Sequence, residues 1–153
     1  MITREEVEKV QEKWGRGLVN MGLLTADSNA LEKAVDSHLE QLYAFDQGTV
    51  LFKPTMAAVD PFRLDKEGAR SYFIGGSPSY TEDTGFALKK WKAVRFVNAE
   101  VILEVDRAIA MGTYFFMDEE GLETRVEYTF GYVRVNGDAL KINLHHSSLP
   151  FNL

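Results

Sequence analysis

The chain has 153 residues, 45% of them hydrophobic and 26% charged, with a net charge of −6 and no cysteine. That length suits one domain with a real core, and the missing cysteines exclude disulfides, thiolate catalysis and Cys-ligated zinc or iron–sulfur centres. Nucleic acid is excluded as a partner, because the densest basic run, Lys89-Lys90-Trp91-Lys92 with Arg95 nearby, is too small an electrostatic footprint.

No apolar run is long enough to span a membrane, and the N-terminus, Met1-Ile-Thr-Arg-Glu-Glu-Val-Glu, lacks the apolar stretch of a signal peptide. A cytoplasmic location and no membrane partner are the expectation. The first element is a helix with Val7, Val10, Trp14, Leu18 and Met21 on one face, opened by a capping box between Thr3 and Glu6 and stopped near Gly22. A second helix starts at Asp27 or Ser28, buries Leu31, Ala34, Val35, His38, Leu39, Leu42 and Tyr43, and ends near Asp46-Gln47-Gly48.

The period then changes. Thr49-Val-Leu-Phe-Lys53 is a short β-type run stopped by Pro54, with Thr55 opening a turn. A short helix covers Lys66 to Phe73 and runs into the loop Gly75-Gly76-Ser77-Pro78, and the segment from Thr81 to Leu88 has no period and reads as loop. The remainder is β: Trp91 to Asn98, Ala99 to Val105 with a bend or bulge where the two meet, Arg107 to Met117, Arg125 to Val135, and Leu140 to Ser148. Turns at Asp118-Glu-Glu-Gly121 and Asn136-Gly137 join the later strands. Helices followed by a meander of long strands predict an α+β fold, N-terminal helices packed on a curved, mostly antiparallel β-sheet.

The last strand, Lys141-Ile-Asn-Leu-His-His-Ser-Ser-Leu-Pro150, has an odd filling for a core element. Strict alternation puts His146 and Ser148 on one face and His145 and Ser147 on the other. An imidazole and a hydroxyl then stand roughly 7 Å apart on one face, from the rise per residue. The two adjacent histidines cannot easily share a metal. Filling of a strand end and a small polar pocket both account for these four residues, and spacing leaves the two readings open. His38 lies on an apolar stripe and reads as a satisfied, half-buried residue. No HExxH, GxGxxG, GxxxxGK[ST] or GxSxG pattern occurs, so neither a metal nor a nucleotide cofactor has a motif.

Three runs carry a family resemblance: Ala108-Ile-Ala-Met-Gly-Thr-Tyr-Phe-Phe116, Val126-Glu-Tyr-Thr-Phe-Gly-Tyr132 and Ile142-Asn-Leu-His-His-Ser-Ser-Leu-Pro-Phe151, with Leu51-Phe-Lys-Pro-Thr55 and Ser71-Tyr-Phe-Ile-Gly-Gly76 upstream. From about Ala30 onward the chain resembles iota-class carbonic anhydrases, a branch of the kinase association-domain superfamily with the cone-shaped nuclear-transport-factor-2-like fold. The resemblance implies a single domain over 1–153, with 1–26 as an N-terminal helical extension. Leu144 stands where metal-using members have the first histidine of an HHHSS motif. The chain is therefore more similar to the cyanobacterial and algal members described as working without metal.

The resemblance implies reversible hydration of carbon dioxide to bicarbonate, with no cofactor and no metal ligand. It implies Thr55, Tyr72, His146 and Ser148 as catalytic residues, with Thr55, Tyr72 and Ser148 binding substrate. His145 and Ser147 are then structural supports on the opposite face. Which group is the base stays open: His146 is one candidate, and Tyr72 would need a strongly lowered pKa. A homo-oligomer, most simply a dimer, is the expected assembly. Two other functions suit the same fold. One is a non-catalytic association module holding a small ligand in the pocket. The other is a ketosteroid-type isomerase, for which no pocket carboxylate is evident.

Overall fold

Apolar residues on one stripe of each helix and one face of each strand leave a single way to bury them, with the helices laid across the hollow side of a bent sheet. A computed structural model of the chain describes residues 1–137 and 139–152. Helix α1 spans Arg4–Leu23, α2 Ser28–Leu42 and α3 Lys66–Ile74. The strands are β1 Leu51–Lys53, β2 Ala93–Leu103, β3 Arg107–Met117, β4 Glu123–Val135 and β5 Ala139–Ser148. They form one sheet in the order β1-β5-β4-β3-β2, antiparallel except that the edge strand β1 runs parallel to β5.

The expected capping box is present: the Glu6 amide donates to Thr3 Oγ1 at 3.2 Å and the Thr3 amide to the Glu6 carboxylate at 2.7 Å. Trp14, Leu18 and Met21 of α1 are essentially fully buried, each large apolar side chain contributing at most about 3 kcal/mol by area. Residues expected as an extension therefore supply core. Helix α2 ends at Leu42, earlier than its apolar pattern predicts. Tyr43 is extended (φ −108°, ψ 147°), and the Ala44 amide donates to the Ile142 carbonyl at 2.8 Å. Pairing with β5 thus takes the chain out of the helix, and Phe45–Gln47 forms only a short 3-10 turn. Phe86–Lys89, read as loop, is a second such turn.

The loops at one end of the sheet are tied together by charge. Arg63 is wholly buried and makes a two-pronged pair with Asp83 at 2.7 and 2.8 Å, while also donating to the carbonyls of Asp60 and Gly68. The Glu82 carboxylate accepts the amides of Ala58, Val59 and Asp60. These contacts join the segment after β1 to the segment after α3.

Strands β2 and β5 are each bulged. In β2 the register with β3 shifts between Asn98 and Glu100, leaving Ala99 as the extra residue; the two expected runs are one strand. In β5 the register with β4 shifts between Gly131 and Tyr132: Gly131 faces Leu144 and Tyr132 faces Ile142, so Asn143 is extra. A bulge of one residue reverses the alternation beyond it. Ile142 is buried before the bulge, and His145 and Ser147 are buried after it. Gly131 permits this, since a Cβ there would come within 2.8 Å of Leu144 Cβ.

Candidate active site

The bulge turns His145 and Ser147 into the cone. His145 lies flat between two phenyl rings, Phe52 at 4.8 Å and Phe130 at 4.0 Å between centroids, with the edge of Trp14 5.6 Å away. Burial holds its pKa well below the usual 6.5, so the ring is neutral at ordinary pH. Its Nδ1 is 2.7 Å from the Tyr43 hydroxyl and its Nε2 3.0 Å from the Tyr114 hydroxyl. Tyr114 reaches Ser147 Oγ at 2.5 Å, and Ser147 Oγ reaches Thr55 Oγ1 at 2.6 Å.

Thr55 arrives from the turn after β1, which is held beside β5 by the pairing of Phe52 with His145 and Lys53 with His146. Tyr72 comes from α3, and its hydroxyl oxygen accepts the Met56 amide at 3.2 Å, leaving its own proton free to donate. Burial raises the pKa of both Tyr72 and Tyr114, so these phenols are hydrogen-bond donors and not bases. Thr55, Tyr72, Tyr114, His145 and Ser147 line a void of about 10 Å³, close to the smallest space that admits one water molecule. Phe52, Phe73 and Phe86 give it apolar walls. The Lys53 ammonium donates to the Ser147 backbone carbonyl at 2.9 Å and so ties β1 to the end of β5.

Of the four residues expected to converge, Thr55 and Tyr72 do. His146 and Ser148 lie on the outer face of β5, His146 exposed and Ser148 partly so. The division into two facing pairs holds, but the inward pair is His145 and Ser147, the pair expected as outer supports. The Asn143 bulge is the reason. Tyr43, Tyr114 and Trp14 were not singled out. Trp14 and Tyr43 look like core stripe in the helical pattern, and only the alternation of β3, which buries Ala108, Ala110, Tyr114 and Phe116 together, hints at a buried phenol. His38 is buried, not half-buried, and among the described residues its Nε2 has no hydrogen-bond partner; burial lowers its pKa to about 3. No three His, Asp or Glu residues among those described gather as a metal-ligand group.

An α+β cone with a polar cluster in its enclosed end is the nuclear-transport-factor-2-like architecture. Two solved structures share that fold with this chain. One, described as a calcium/calmodulin-dependent protein kinase II association domain from Xanthomonas campestris, has a TM-score of 0.65 at 24% identity over 100% of this chain and 91% of that one. The other, a nuclear-transport-factor-2-like protein from Novosphingobium aromaticivorans, has a TM-score of 0.59 at 15% identity over 98% and 83%.

The family itself is narrower. A family model described as metal-independent carbonic anhydrase matches residues 5–149. A curated relative of that name from Nostoc sp. is 36% identical over 154 residues, spanning 98% of this chain and 75% of the relative. The iota-carbonic anhydrase from a cyanobacterium, solved in complex with bicarbonate, superposes with a TM-score of 0.95 at 33% identity, covering 99% of this chain and 94% of that one. The chain belongs to the metal-independent carbonic anhydrase family.

Proposed function

We propose that the chain catalyses the reversible hydration of carbon dioxide to bicarbonate, without metal, at the hydroxyl cluster of Thr55, Tyr72 and Ser147. Membership of the family supports the reaction. The observation that carries the site is the unbroken run of short hydrogen bonds from Thr55 through Ser147 and Tyr114 to His145.

Zinc enzymes make hydroxide by lowering the pKa of bound water from 15.7 to about 7. Here no group in the pocket is a strong base, since the imidazole is neutral with both nitrogens engaged and the phenols are held protonated. Hydroxyls act differently, because each is at once a donor and an acceptor. As the water oxygen forms its bond to carbon, its proton passes to the oxygen of a pocket hydroxyl. That hydroxyl's own proton passes to a substrate oxygen, which has gained the electron pair of the broken C=O π bond. The product is carbonic acid, which ionises to bicarbonate on release. Thr55 and Ser147 are the hydroxyls placed for this exchange, with Tyr72 donating to a substrate oxygen. Tyr114 and His145 hold Ser147 in position. Fixed donors aimed at developing negative charge are a large source of rate acceleration.

The test is stopped-flow hydration of carbon dioxide after exhaustive chelation. A rate above buffer that survives chelation supports the reading, and one no faster than buffer would sink it.

A homodimer through the open side of the sheet is part of the same proposal. Val97, Ile102 and Met111 are exposed there at 46%, 58% and 58%, and Phe115 lies beneath the Arg95 guanidinium. Apolar faces of this kind mark interfaces. Sedimentation as a monomer at micromolar concentration would remove that part.

A further inference from the structure

The hydrogen-bond run does not stop at His145. On its far side Tyr43 is 2.7 Å from Nδ1, and Trp14 Nε1 is 2.9 Å from the same Tyr43 hydroxyl. Trp14 and Tyr43 are 2% and 0% exposed, so both groups settle their hydrogen bonds inside the protein.

An indole N–H can only donate, whereas a phenol has one proton and can also accept. The Trp14 bond therefore uses a lone pair of the Tyr43 oxygen. The Tyr43 proton must point elsewhere, and among the described residues the other partner of that hydroxyl is His145 Nδ1. Nδ1 then accepts, the imidazole proton sits on Nε2, and Nε2–H donates to Tyr114. The opposite tautomer would aim two donors at the Tyr43 oxygen and leave its proton with no acceptor, a cost that disfavours it by roughly 5- to 150-fold. Burial supports the neutral ring by holding the imidazole pKa well below its ordinary value, and it keeps the Tyr43 phenol protonated.

We propose that Trp14 is a positioning residue that sets the direction of the whole chain: Trp14 donates to Tyr43, Tyr43 to His145, His145 to Tyr114, Tyr114 to Ser147, and Ser147 to Thr55, whose own proton is left for the substrate. The inference rests on the reading of the pocket as the hydration site. It deepens that reading by making His145 a donor to the pocket side and removing it as proton acceptor there. The side chain that orients the pocket hydroxyls is thus on α1: its ring is part of the void's wall, while its N–H is hydrogen-bonded to the hydroxyl run through Tyr43 and His145.

The direction is read from the ¹⁵N shifts of the His145 ring, which separate a protonated from an unprotonated nitrogen, with signals assigned through contacts to the Phe130 ring. The expected result is a single Nε2–H tautomer in the unmodified protein; an Nδ1–H tautomer or an even mixture overturns the proposal. The second arm replaces Trp14 by 3-benzothienylalanine, which keeps the bicyclic shape and exchanges the N–H for sulfur, beside Trp14→Phe. The expected outcome is a mixed tautomer and a fall in kcat of up to about tenfold, the size of one lost hydrogen bond, with KM unchanged. A folded benzothienylalanine protein that keeps both the pure Nε2–H form and full kcat also overturns it. The tautomer is measured in the resting protein, so it stands or falls separately from the hydration rate.

Discussion

Strands β2 and β5 contain the same irregularity and use it for different ends. Each carries one extra residue, Ala99 or Asn143, and each sets the irregularity against a glycine of the neighbouring strand, Gly112 or Gly131. In β2 the reversal exchanges one packing set for another, with Phe96 and Asn98 facing the helices before it and Val101 after it. In β5 it exchanges packing for chemistry, with Ile142 before it and His145 and Ser147 after it. A bulge re-aims whatever follows it. What it accomplishes is decided by the residues downstream.

The largest effect that sharpens this comparison lies just past the second bulge. Ser147→Ala removes the hydroxyl shared by Tyr114 and Thr55 and is expected to lower kcat by about 10²–10³-fold, the usual loss for one preorganised donor. Ser148→Ala on the outer face should stay within about twofold, as surface changes do. Equal losses in the two variants would mean that the inner pair is not the working one.

The two glycines test the bulges themselves. At Gly112 a Cβ would fall inside contact distance of the Val97 carbonyl and 2.7 Å from the Tyr128 hydroxyl, whereas at Gly131 it meets Leu144 Cβ at 2.8 Å. Backbone yields less than side chain, so Gly112→Ala should cost about 3 kcal/mol and Gly131→Ala about 1–2 kcal/mol in urea unfolding. The reverse order would show that β5 is the more rigid strand.

Acid provides a further contrast. His38 and His145 are neutral when folded, with pKa values depressed by burial, so the unfolded chain binds more protons below about pH 6.5. Stability is therefore present above that pH and declines as pH falls. Between pH 7.5 and 5.5 the two residues together should remove about 2–3 kcal/mol, measurable by denaturant titration; a flat profile would contradict the buried neutral state. The smallest effect concerns the link between β1 and β5. Lys53→Met removes the ammonium that donates to the Ser147 carbonyl and should lower stability in urea unfolding by about 1 kcal/mol, with KM for bicarbonate unchanged.

The comparison also explains what could be read from residue order. The bend in β2 shows in the alternation because apolar residues lie on both sides of it, Val94 and Phe96 before and Val101 and Leu103 after. In β5 the first residue beyond the bulge, Leu144, is apolar and keeps the parity of Ile142, and the four that follow are polar, so straight alternation selects His146 and Ser148. Thr55 and Tyr72 were legible through the family segments that contain them. Trp14 and Tyr43 were not, since an aromatic on an apolar stripe looks the same whether or not its polar atom is used. Arg63 and Asp83, twenty residues apart in unpatterned loops, leave no periodic trace at all.

The attachment of β1 has a consequence for how the protein comes apart. Thr55 and Ser147 are 92 positions apart, and they meet only because a three-residue edge strand lies along β5. Strands β3, β4 and β5 form a consecutive meander that does not need β1. Edge elements open at lower free energy than the centre of a sheet. As denaturant rises, detachment of β1 should therefore extinguish turnover while the meander still protects its amides from exchange.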